Sequence, residues 1–177
     1  MTQCISLRIF FIAAIAALLL ANCTTRESKT YDGWPVVGGN AEGNKYSSLD
    51  QIDTANVKQL QIAWTYHAGD VDTAAHSQIQ CNPIIVDGIL YGTSPKLKLF
   101  ALDAATGTEK WAYAPLDTIE GDKGAHFNLN NNRGVAYWTD NKGDSRIFYA
   151  VGPHMHAVDA ETGKLITSFA DSGKLDL

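Results

Sequence analysis

The sequence predicts an all-β chain, and three observations carry that prediction. The first is an internal repeat: Ala101-Leu-Asp-Ala-Ala-Thr-Gly-Thr-Glu-Lys-Trp111 is echoed by Ala157-Val-Asp-Ala-Glu-Thr-Gly-Lys-Leu-Ile-Thr-Ser-Phe169. Asp103 and Asp159, Thr106 and Thr162, and Gly107 and Gly163 are each 56 residues apart. The second is a set of hairpin signals, of which Asp87-Gly88 between two apolar runs is the sharpest. The third is the lack of helical periodicity, apart from a turn expected at 53–60 with Asp53 or Thr54 as its cap.

Each element follows from local chemistry. Leu99 to Leu102 and Met155 to Val158 read as strands that run into Asp-Ala-x-Thr-Gly. There the Asp and Thr side chains bond nearby backbone and the glycine supplies positive φ. The chain is then expected to return as a strand carrying Trp111, or Phe169 in the second copy, with the aromatic packed between neighbouring units. Pro83–Val86, Asp87-Gly88 and Ile89–Gly92 form one hairpin. Gly134–Trp138, a polar tip and Arg146–Val151 form a second. The tip, Asp140-Asn-Lys-Gly-Asp144, lacks the distal Glu and flanking helices of a calcium-binding helix-loop-helix and reads as a plain turn. A repeat of this length fits a β-propeller blade of four short strands. The fold class is therefore all-β, a partial β-propeller with a lead-in segment and one to two blades.

The first residues read as a targeting signal. Arg8 is the only charge before the thirteen apolar residues Ile9 to Ala21, which fits a signal peptide over residues 1–22. An uncleaved anchor helix starting near Ile5 is the alternative. Leu20-Ala21-Asn22-Cys23 resembles a bacterial lipobox, which implies lipidation of Cys23, a polar tether over 23–30 and a folded body over 31–177. The expected location is the cell envelope, as a periplasmic or outer-membrane lipoprotein. Of three cysteines, Cys81 would then stand alone as a small, mostly buried residue. Loss of Arg8 moves the formal charge from -5 to about -6. No basic patch points to nucleic acid.

Three segments, in order, resemble the pyrroloquinoline-quinone (PQQ) dehydrogenases, the quinoproteins, and most of all their membrane-associated glucose and polyol branch. They are Trp34-Pro35 with Gly38-Gly39-Asn40, Tyr46-Ser-Ser-Leu49 and Ala63-Trp64; Gln80-Cys-Asn-Pro-Ile-Ile-Val-Asp-Gly88 through Trp111; and Asn132-Arg-Gly-Val-Ala-Tyr-Trp138. The resemblance implies a ring of about eight such blades, on the order of 450 residues at this period. It implies oxidation of a sugar, polyol or alcohol, with PQQ as cofactor and calcium polarising the quinone. It also implies that electrons pass to a quinone or cytochrome. Arg133 matches the arginine that binds a PQQ carboxylate; a structural ion pair is its alternative. Gln80 stands where the family commonly has a cofactor-touching Glu; a polar strand-edge residue is its alternative. Where sugar-oxidising relatives use a histidine this chain has Leu129; His126, close by, is the candidate to stack on the cofactor after a local shift, and a polar surface residue is its alternative. Phe127 and Asn128 replace the adjacent cysteines of alcohol-oxidising relatives, so that disulfide lid is not expected.

The general-base aspartate and the calcium ligands belong to later blades in this family, so no catalytic or metal residue is assigned. By itself the stretch is expected to be an incomplete, inactive part of a longer ring, with raw edges that make it marginal or aggregation-prone. Its last residues, Phe169 to Leu177, read as a linker between blades. A non-catalytic propeller lipoprotein, a scaffold for outer-membrane assembly, is the alternative function. His154 and His156 would share one strand face without metal-ligand spacing.

Overall fold

The computed structural model describes residues 33–71, 73, 77–115 and 132–177. They form two four-stranded antiparallel sheets, each with its strands in chain order. The first holds β1 (Ile84–Val86), β2 (Ile89–Thr93), β3 (Leu99–Asp103) and β4 (Glu109–Tyr113). The second holds β5 (Ala136–Thr139), β6 (Ser145–Val151), β7 (His154–Asp159) and β8 (Lys174–Asp176).

The turns explain the strands. Asp87 and Gly88 both have positive φ, 49° and 76°, the conformation of a two-residue turn that matches strand twist. Val86 pairs with Ile89 across it. At the polar tip, Asp140 Oδ1 accepts the N–H groups of Lys142 (2.7 Å) and Asp144 (3.0 Å), which leaves Thr139 paired with Ser145. In the first repeat turn Asp103 Oδ1 accepts three hydrogen bonds: Ala105 N at 3.1 Å, Thr106 N at 2.9 Å and Thr106 Oγ1 at 3.0 Å. Asp159 does the same for Glu161 N, Thr162 N and Thr162 Oγ1, at 3.1, 2.7 and 2.7 Å. In the lead-in segment a 3-10 helix, Val57–Gln59, follows an Asx turn in which Asp53 Oδ1 accepts from Ala55 N (2.7 Å) and Asn56 N (3.0 Å).

The two sheets meet face to face. Ile84, Tyr91, Leu97, Leu99 and Ala101 of the first share one buried cluster with Val135, Ile147, Tyr149, Val151 and Val158 of the second. β3 is apolar on both faces because both are covered. Leu99 and Ala101 belong to that cluster, and the Phe100 ring lies 4.9 Å from Tyr66 of the lead-in segment.

A tryptophan wedge repeats with the turns. Trp111 donates its Nε1–H to Ala160 O at 3.1 Å, and its ring lies over Gly163, where an added Cβ would sit 2.6 Å from it. Trp64 stands in the same relation to Ala104 O, at 3.2 Å, and to Gly107, at 2.5 Å. The expected packing of Trp111 between units is therefore found, and Trp64 supplies a second instance.

Two expectations are corrected. Phe169 does not lie in a strand: residues 167–170 turn, with Phe169 N donating to Ile166 O (3.0 Å) and Gly173 N to Phe169 O (2.7 Å). The residue 56 places after Trp111 is Thr167, followed by Ser168, and the Asp171-Ser172-Gly173 run favours turning over extension. Phe169 still takes Trp111's role within its sheet. Its ring lies 5.4 Å from Phe148, as Trp111 lies 6.0 Å from Tyr91. Phe148 and Tyr91 hold the same register, opposite Ala157 and Ala101. The end of the chain is likewise not a linker. Lys174–Asp176 closes the second sheet, His154 facing Asp176, so both units are complete four-stranded sheets.

Candidate functional site

The repeat turns cluster at one end of the sheets, where Ala104 N donates to Gly88 O at 2.9 Å. The candidate residues lie at the other end, where β1 and β5 begin. There the two sheets join directly: Asn82 and Gly134 form a parallel bridge, and Asn82 N donates to Arg133 O at 3.0 Å. Gln80 lies two residues before Asn82 and Arg133 one before Gly134, so the bridge brings both to one end of two adjacent inner strands. Gln80 is half-buried and Arg133 exposed.

The backbone around Arg133 is tightly held. Asn82 adds its Nδ2 to the Arg133 carbonyl at 3.1 Å. Asn132, buried at 6% exposure, donates to Ala150 O at 3.1 Å and accepts Gly134 N at 2.9 Å. Neither asparagine was singled out from the sequence. Arg146 pairs with Asp144, and among the described residues no carboxylate partners the Arg133 guanidinium. His126 and Cys23 lie outside the described residues, as do Phe127, Asn128 and the apolar run 9–21.

Ala68 and Asp70 are anchored at the same end. Asp70 Oδ2 accepts the hydroxyl of Ser94 in the β2–β3 turn, and the Lys98 ammonium donates to Ala68 O. Trp34 pairs with Ile85 along β1, N–H to carbonyl at 3.1 and 2.8 Å, so the lead-in segment lies against the first strand.

His156 belongs to the packing between the sheets. It is buried, its Nδ1 lies 3.2 Å from Tyr113 Oη, and Tyr149 meets its ring edge-on. Burial, with Lys174 and His154 adding to it, pushes its pKa down to about 4, so the ring is neutral at pH 7. Among the described residues no group of three His, Cys, Asp or Glu could hold a metal. Cys81 is a half-buried free thiol packed against the core. No helix among them is long and apolar enough to cross a membrane.

Stacked four-stranded antiparallel sheets, joined at their first strands and wedged by a repeated tryptophan, are consecutive blades of a β-propeller. The sequence profile of the PQQ family, described as the β-propeller domain of glucose/ethanol/alcohol dehydrogenases, matches residues 34–177, and the chain belongs to that family. It is 37% identical over 160 residues to quinoprotein glucose dehydrogenase of Escherichia coli K12, covering 81% of this chain and 19% of that protein. It is also 37% identical over 132 residues to quinohemoprotein alcohol dehydrogenase of Comamonas testosteroni, 74% of this chain and 17% of that protein. Among solved structures, a quinohemoprotein alcohol dehydrogenase from Pseudomonas putida superposes with TM-score 0.67 at 32% identity, over 84% of this chain and 19% of that one. The chain thus spans about a fifth of the length of these relatives.

Proposed function

We propose that these residues form one wall of a PQQ site in a dehydrogenase that oxidises a sugar, polyol or alcohol. The observation that carries the reading is the Asn82–Gly134 bridge. It sets Gln80 and Arg133 at one end of adjacent inner strands, with the guanidinium free of any described carboxylate. This donor set fits the cofactor. PQQ carries three carboxylates, and a planar guanidinium takes such a group with two parallel hydrogen bonds. Gln80 offers a neutral amide for a carboxyl or quinone oxygen, where a glutamate would bring a second negative charge.

When bound, PQQ supplies the ortho-quinone that accepts two electrons. The part of this chain is to hold and orient it: Arg133 binds a carboxylate and Gln80 hydrogen-bonds beside it. Calcium and the proton-accepting aspartate are assigned to other blades of the full ring. Relatives named as alcohol dehydrogenase (quinone) and as 1-butanol dehydrogenase (cytochrome c) support a quinone or a cytochrome as acceptor. The leading segment is read as a lipoprotein signal with Cys23 lipidated, which would tether the protein to the cell envelope.

Titration of the full chain with PQQ, followed by tryptophan fluorescence, tests the reading. Saturable binding is expected, weakened about a hundredfold in Arg133→Ala. Equal affinity of the variant and the wild type would refute it.

A further inference from the structure

Arg133 is exposed, yet the backbone on either side of it is fixed by two asparagine side chains. The Arg133 carbonyl accepts both the main-chain N–H of Asn82 at 3.0 Å and its Nδ2 at 3.1 Å, which uses both lone pairs of that oxygen. Asn132 spans the other side, from Ala150 O at 3.1 Å to Gly134 N at 2.9 Å. Gly134 is closed in as well, since an added Cβ would lie 2.8 Å from Val37 Cγ2. An ordinary strand start needs only its ladder bonds. Here the Asn82 amide, on an exposed residue, makes no other hydrogen bond among the described residues than the one to the Arg133 carbonyl.

We infer that Asn82 and Asn132 are positioning residues: they fix the backbone that carries Arg133, so that its guanidinium is preorganised for a planar carboxylate-bearing ligand. The inference rests on the reading of Arg133 as a carboxylate ligand and names what makes that ligand effective. A long side chain on a mobile backbone loses affinity to ordering on binding, and a preset backbone removes part of that loss. The two asparagines act through Arg133 and need not touch the ligand.

Two measurements on the full chain test this, with Asn82→Ala as the main variant because Asn82 is exposed and its main-chain bond persists. The first is ¹⁵N relaxation without ligand. Arg133 and Gly134 amides should show the order of rigid backbone, about 0.85, and fall towards about 0.6 in Asn82→Ala, with the melting temperature unchanged. Unchanged order would overturn the inference. The second is a double-mutant cycle in PQQ affinity. Asn82→Ala alone should weaken binding about fivefold, and should change nothing in the Arg133→Ala background. Equal losses in both backgrounds would show that Asn82 acts independently of Arg133 and would overturn the inference. Should the wild-type chain bind no PQQ, the cofactor reading fails, while the relaxation result alone decides whether the asparagines order Arg133.

Discussion

Gly163→Ala should destabilise the chain far more than Gly88→Ala, although the two glycines share nearly the same backbone conformation. Their φ values are +71° and +76°, so an alanine meets the left-handed penalty at both, about 1–2 kcal/mol. The surroundings differ. At Gly88 nothing lies within 4 Å of the added Cβ, whereas at Gly163 two Trp111 ring atoms lie at 2.6 Å. The ring cannot withdraw freely, because its Nε1 is held by Ala160 O at 3.1 Å and its other side faces Tyr91. Overpacking of this kind adds about 1–3 kcal/mol. The total at Gly163 is then about 2–5 kcal/mol, against about 1–2 kcal/mol at Gly88. Urea unfolding followed by circular dichroism reads the difference as a shift in midpoint at constant slope. Gly107→Ala should behave like Gly163→Ala, since Trp64 stands 2.5 Å from that Cβ. Equal losses at Gly88 and Gly163 would refute the wedge as the link between blades.

Other expectations follow from the same contacts. His156 is held neutral, its pKa lowered from 6.5 to about 4; stability is full above pH 6.5 and falls as the pH drops towards 4, by up to about 3 kcal/mol. His156→Leu should flatten that slope in a pH series of unfolding curves. Asp103 is held below its ordinary pKa first by the Thr106 hydroxyl and then by the Thr106 N–H; its contribution is present above about pH 3.8 and is lost below it, so Asp103→Ala should lower stability above that pH and leave the acid end of the same series nearly unchanged. Phe169→Ala should cost about 1–3 kcal/mol, below the fully buried range because the ring is half-exposed, and loss of its contact with Phe148 is readable in the urea midpoint. Cys23→Ser should abolish incorporation of labelled palmitate in cells, whereas labelling that persists would sink the lipoprotein reading.

Much of the fold was legible because the turns carry their own chemistry. Asp87-Gly88 and the two Asp-x-x-Thr-Gly runs fix hairpins through φ and side-chain bonds within a few residues, and these formed where the pattern put them. Phe169 was misread because the pattern followed the aromatic residue and not the 56-residue period, which falls on Thr167, nor the turn formers between Thr167 and Gly173. Its packing partner, Phe148, is set by cross-strand register, which no local window displays. Arg133 was visible as a motif residue, but what holds it was not. Asn82 lies 51 residues away, and its hydrogen bonds exist only because two blades begin side by side. Trp64 was quoted as part of the lead-in segment, and its likeness to Trp111 emerged only when both rings were found over equivalent glycines.

The proposed function stands on one contact: a carboxylate of PQQ received by Arg133 at the end of the propeller where β1 and β5 begin. A crystal structure of the full chain grown with PQQ tests it most directly. The expected result is a PQQ carboxylate in bidentate contact with the Arg133 guanidinium, at about 2.7–2.9 Å, with the Gln80 amide on the same side of the ligand. PQQ bound elsewhere, or Arg133 turned away into an ion pair with a protein carboxylate, would contradict it.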